Sequence, residues 1–243
     1  MRIVFSRKGF DSSAGGVPSP IIGGRPISLP IPASACSVTS YGDLGLGDLV
    51  EDVTRRKLHR GSLCHDDPLF ADGHCWFGQC GAAQGHLANH GVGPGDTFVF
   101  FGLFGDRETG ERHHRIFAYL RVEWAGSPGA VERHLGWREP RRPHPHFIGD
   151  WDRNNTIYFG SGQAATLASP RLRLTVAGGP LNVWAVPPWL RQRGLTYHRD
   201  PKHWLPGDRL LSARRGQEFI CDIGRARTPR EWLEQTIAEI EAE

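Results

Sequence analysis

Side chains able to move protons or hold anions recur in short clusters along this sequence, each beside a glycine, a proline or an apolar run. They are Ser6-Arg7-Lys8-Gly9-Phe10-Asp11, His65-Asp66-Asp67-Pro68, Gly78-Gln79, His144-Pro145-His146, Tyr197-His198 and Arg215-Gly216-Gln217-Glu218. Arg7 offers a planar fork for a phosphate or carboxylate, Lys8 a point charge and Ser6 a small donor. Asp11 could orient Arg7 or act as a base. Gln79 and Gln217 carry amides that can pair with a base edge, and Glu218 a carboxylate that can accept from an exocyclic amine. His144 and His146 flank a proline, so an extended segment points both the same way, and either can exchange a proton near neutral pH. Polar groups of this kind are hydrogen-bonded or put to use when buried. The clusters therefore read as strand-end groups converging on one cleft. His65, Asp67, His146 and Glu218 are the acid–base candidates. Ser6, Arg7, Lys8, Asp11, Gln79, Tyr197, His198, Arg215 and Gln217 are the substrate-binding candidates. Trp76, Phe104 and Tyr197 are available as stacking walls.

Other chemistries fit less well. Cys64, His65, His74, Cys75, Cys80, His86 and His90 crowd together, but there is no paired CxxC, and adjacent Cys-His pairs tend to diverge. Asp66, Asp67 and Asp72 suit magnesium only together with phosphate ligands. No metal ligand set is assigned, and the identity of any cofactor stays open. Nothing marks one cysteine as a nucleophile. Neither GxGxxG after the first strand nor GxxxxGK[ST] occurs, which disfavours Rossmann and P-loop nucleotide binding.

The composition bounds the class of protein. The 243 residues are 39% hydrophobic, enough for a real core, while 31 glycines and 18 prolines point to a strand- and loop-rich fold. A net charge of +3 permits a nucleic-acid partner without requiring one. Basic residues gather at Arg55-Arg56-Lys57, Arg138 to Arg142 and Arg225 to Arg230. Five cysteines, an odd number, do not make a disulfide framework. No charged-then-apolar leader is apparent and no apolar run approaches ~18 residues, so a cytoplasmic protein without a membrane partner is expected.

The elements that must position the clusters follow from periodicity and turn residues. Residues 2–5 read as a buried strand and 27–31 as an edge strand. A short helix is expected over 43–56 and a clearer one over 79–90, stopped at Asn89-His90-Gly91. Residues 97–103 and 115–124 read as strands around a polar loop, 104–114. Residues 126–150 are a long connection with a short helix or a functional flap. Further strands are expected at 156–159, 172–176 and 218–222. A terminal amphipathic helix opens on a capping box at Thr228-Pro229-Arg230-Glu231.

The chain resembles the nucleotide modification associated domain family, type three. The resemblance is carried by Phe5 to Asp11, Gly15-Gly16-Val17-Pro18-Ser19-Pro20, His65 with Asp67-Pro68, Phe77-Gly78-Gln79 and Gly95-Asp96 with Phe98 to Phe104. It continues at His144-Pro145-His146, Asn155 to Tyr158, Tyr197-His198 and Arg215 to Phe219. The His-x-Asp-Pro pattern favours His65 and Asp67 over Asp66. The middle also resembles PUA-like domains, through the turn Pro94-Gly95-Asp96 and the two strands around it. These resemblances imply a single unit spanning 1–243, α+β in class. Its central sheet would be mainly antiparallel and barrel-like, PUA-like around 92–125 and in later strands, with peripheral helices. They imply an enzyme acting on a nucleobase or nucleotide, with DNA, RNA or a nucleotide as partner. Two alternatives remain: a non-catalytic reader of modified or single-stranded nucleic acid, and an enzyme on a free phosphorylated metabolite.

Overall fold

A computed structural model describes residues 1–135 and 143–242, with the side chains of Glu132 and Leu135 outside the description. The basic run Arg138 to Arg142 therefore lies outside the described residues. The strands are β1 (Arg2–Arg7), β2 (Ser19–Ile22), β3 (Arg25–Pro26), β4 (Ile31–Pro32), β5 (Cys64–His65), β6 (Leu69–Ala71) and β7 (His74–Gln79). They continue as β8 (Thr97–Asp106), β9 (Arg112–Gly126), β10 (Thr156–Ala164), β11 (Val183–Ala185), β12 (Trp204–Leu205), β13 (Arg209–Leu211) and β14 (Glu218–Asp222). The α-helices are α1 (Gly47–Val53), α2 (Gly81–Asn89), α3 (Pro128–Leu135), α4 (Pro188–Arg193) and α5 (Arg227–Glu241).

The main sheet runs β14-β1-β8-β9-β10-β7-β6, with β2 beside β8 and β3 beside β2. Only β1 and β2 run parallel to β8, and its other pairings are antiparallel. The α+β class with peripheral helices holds. The barrel does not: the strand path ends at β14 and β6, and these two do not pair. The physical reason lies at the end of β7, where the chain turns directly into α2. That helix packs against β14, in the place where closing strands would have to meet.

Alternation along the strands explains the layering. On β8, Val99 and Phe101 join Ile3 and Phe5 of β1, Phe219 of β14, Trp184 and the apolar stripe Leu233, Ile237 and Ile240 of α5. Phe98, Phe100 and Phe104 point the other way, to Val4, Phe77, Tyr158, Ile220 and Leu87 of α2. A strand buried on both faces reads as a continuous apolar run, as Thr97 to Phe104 does. A smaller core of Phe10, Leu29, Tyr41, Val50 and Cys64 anchors the excursion between β1 and β6.

Several element boundaries differ from expectation. No strand forms at 172–176: a 3-10 turn covers Pro170–Leu172, and only isolated bridges follow at Arg173 and Thr175. There the Thr175 hydroxyl accepts from the His114 backbone N–H at 2.8 Å, which substitutes for a regular ladder. The 27–31 strand shrinks to Ile31–Pro32. The first helix begins at Gly47, because Asp43 instead closes a turn by accepting from the Ser40 N–H and hydroxyl. In α5 the N-cap is Ala226, with no side-chain cap, and Thr228 already lies inside the first turn. The polar hairpin loop is shorter than expected, since β8 extends to Asp106 and β9 starts at Arg112.

Candidate functional site

The polar residues begin where the aromatic core under β1, β7 and β14 runs out. Ser6 follows Val4 on the same face of β1, and Glu218 precedes Ile220 on the paired strand β14; the register sets Ser6 opposite Glu218. Both are fully buried. Glu218 Oε1 accepts from Ser6 Oγ at 3.1 Å and from Gln79 Nε2, across the sheet on β7, at 2.9 Å. Lys8, two residues beyond Ser6, brings its ammonium 3.6 Å from the same oxygen and 4.1 Å from the centre of the Phe77 ring. Gly9 adopts a left-handed φ of +78°, which lets the chain turn away directly after Lys8. Glu218 Oε2 is buried with no hydrogen-bond partner. Burial pushes the Glu218 carboxyl above its ordinary range, although Lys8, Ser6 and Gln79 oppose the shift.

Beside this network stand three histidines and an aspartate. Asp67 Oδ1 accepts from the Gly78 N–H at 2.9 Å and faces His144 Nε2 at 3.1 Å. The backbone N–H of His146 donates to His144 Nδ1 at 3.3 Å, so the His144 proton sits on Nε2 and is given to Asp67. Asp67 Oδ2 lies 3.7 Å from His65 Nε2. Burial alone would raise the Asp67 carboxyl, but His144, His65 and the Lys8 charge outweigh it and hold the carboxyl well below its usual range.

The orientation of His146 follows from Asn155. The Asn155 amide nitrogen donates to the His146 carbonyl at 2.9 Å, which turns Oδ1 toward His146 Nδ1 at 2.7 Å. Nδ1 therefore carries the proton, and the lone pair resides on Nε2. The ring stacks on Trp151 at 4.2 Å, nearly parallel, and burial lowers its pKa to about 4. One donor atom each from His65, Asp67 and His146 lie within 4.8 Å of one another.

His65, Asp67, His146, Lys8 and Gln79 border a cleft of about 480 Å³, walled by Ile31 to Cys36, Trp151, Cys80 and parts of the loop after β1 such as Gly9 and Asp11. Burial raises the thiols of Cys75, well above its ordinary value, and of Cys80, which keeps both protonated.

The candidates from the sequence sort clearly by position. His65, Asp67, His146, Lys8, Gln79, Arg7, Asp11 and Gln217 border the cleft, with Ser6 and Glu218 buried in the network behind Lys8. Some have their polar atoms engaged already. Gln79 uses both amide ends, on Glu218 and on the Cys80 N–H. Arg7 donates to the carbonyls of Ala213 and Arg214. Asp11 accepts from Ser13 and Ala14 in a local turn. Tyr197, His198 and Arg215 are not among the cleft's lining residues. His198 spends both ring nitrogens on the backbone of Thr196 and Ala213. Of the proposed stacking walls, Trp76 packs on Phe159, and Phe104 is buried against Phe117. Trp151 is the large aromatic at the cleft. Asn155 entered the sequence reading only as the start of the Asn155 to Tyr158 segment, with no role, and Trp151 carried no signal beyond its proximity to the His144-Pro145-His146 cluster.

Among the described residues no helix is long and apolar enough to cross a membrane. A family model described as nucleotide modification associated domain 3 matches residues 2–222. No curated protein and no solved structure matches the chain.

Proposed function

From its membership of the nucleotide modification associated domain 3 family, to which this chain belongs, we propose that the protein is an enzyme acting on a nucleobase or nucleotide held in the cleft. The observation that carries the reading is the convergence of His65, Asp67 and His146 at the cleft, backed by the buried Lys8–Glu218 pair. A binding surface alone has little need for buried titratable groups of opposite tendency beside one cavity, whereas acid–base chemistry does.

In this reading the reacting atom lies beside His65, Asp67 and His146. Lys8 and Glu218 form the proton-transfer pair behind it: a carboxyl whose pKa burial raises, next to a cation that stabilises it once ionised. His144 and Asn155 are positioning residues, since they act through Asp67 and His146. The base enters past Gln217 and the segment Ala33 to Cys36, with Trp151 as the adjacent aromatic wall.

Photo-crosslinking tests where the substrate sits. Oligonucleotides and nucleotides carrying photoreactive bases should crosslink to Trp151 or to residues 33–36, and unlabelled ligand should compete. Crosslinks confined to other surfaces, or none with any nucleotide, would remove the nucleobase from this cleft.

A further inference from the structure

We propose that His65, Asp67 and His146 form a binding site for one divalent first-row transition-metal ion. The claim goes beyond the nucleobase reading, because it concerns three side chains and holds whatever the substrate is. Two imidazoles and one carboxylate, grouped at the border of a cavity, match the three-ligand pattern of metal centres that keep positions open for water or substrate. Magnesium and calcium prefer oxygen ligands, so the two nitrogens select against them.

The groups around the three donors prepare each for a cation. Asn155 ties up His146 Nδ1 and leaves the Nε2 lone pair free. His144 and the Gly78 N–H both occupy Asp67 Oδ1, which leaves Oδ2 as the available oxygen. Hydrogen bonds to the far side of a ligand are the usual means of fixing its tautomer and direction. Oδ2 and His65 Nε2 stand 3.7 Å apart, too far for a hydrogen bond. Metal–ligand bonds of about 2.0–2.2 Å separate neighbouring donors by roughly 3–3.5 Å, so the three side chains, now within 4.8 Å, would draw together on a bound ion. Gly78 contributes by its missing side chain, since a Cβ there would lie 2.1 Å from His146 Cδ2.

The test uses the full chain, stripped with chelator and titrated with Co2+ while visible absorption and metal content are followed. One cobalt per chain is expected, with ligand-field bands. His65→Ala and His146→Ala should each weaken affinity at least a hundredfold, and Asn155→Ala about ten- to a hundredfold. His74→Ala, away from the three donors, should leave it unchanged. His65 is half-buried, so its alanine variant keeps the test valid should the His146 variant misfold. Stripped protein that takes up no Co2+ at millimolar concentration, or a folded His65→Ala variant that binds it as tightly as the parent, would overturn the proposal. No nucleotide is present in this titration, so its outcome is independent of the crosslinking result.

Discussion

Gly78 and His146 are in contact at a distance that only a glycine allows: a Cβ at residue 78 would fall 2.1 Å from Cδ2 and 2.2 Å from Cγ of the imidazole. The same glycine donates its N–H to Asp67. One backbone position on β7 thus sets the spacing between the aspartate and the histidine. Gly78→Ala should push His146 off Trp151 and cost about 1–3 kcal/mol of stability, as overpacking does. Denaturant unfolding together with Co2+ affinity reads both effects. Unchanged affinity in a folded variant would show that the contact does not position the histidine.

Glu218→Gln should make the protein more stable at neutral and higher pH. A carboxyl whose folded pKa is raised contributes stability below its unfolded pKa and loses it as pH rises through the folded value. The variant's advantage should therefore grow with pH and vanish near pH 4. The amide still places a polar atom without a partner at the Oε2 position, so the expected gain comes from the lost ionisation alone. Activity should fall in the same variant. A gain in stability independent of pH would separate the effect from ionisation.

Lys8→Met removes the cation 3.6 Å from Glu218. Turnover should drop at least tenfold. The double variant with Glu218→Gln should lose less than the two single losses combined, as expected for groups acting as a pair. Full additivity would mean that the two residues act separately.

Three histidines outside the cleft, two buried and one half-buried, make the fold acid-sensitive. Burial is the main cause that lowers His113, His114 and His198 to about 4. In the unfolded chain they titrate near 6.5, so the unfolded state binds more protons between these values. Stability is complete above pH 6.5 and declines as pH falls toward 4, by on the order of 1 kcal/mol per histidine. Denaturation midpoints at pH 7 and pH 5 check this, and equal midpoints would contradict it.

Much of the fold was legible because its signals are local. The apolar run Thr97 to Phe104, the strand after Met1, the helix ended by Gly91 and the stripe of α5 all speak through periodicity and turn residues. Closure of the sheet was not legible, because it depends on what fills the space between strands far apart in sequence; here α2 does so. The site was legible as residue types rather than as roles. His144 and His146 look alike in sequence, and only the fold turns one onto Asp67 and the other toward the cleft. His198 looked equally promising, yet the backbone of Thr196 and Ala213 consumes its polar atoms.

The most direct test of the account is mass spectrometry of nucleosides after incubation with the metal-supplied protein. Single- and double-stranded DNA, RNA and free nucleotides would be offered, with the small-molecule fraction of a cell extract supplying co-substrates. The account predicts a nucleoside or nucleotide of altered mass with the parent protein and none with Asp67→Asn. Identical profiles from the two proteins across all substrates would contradict it.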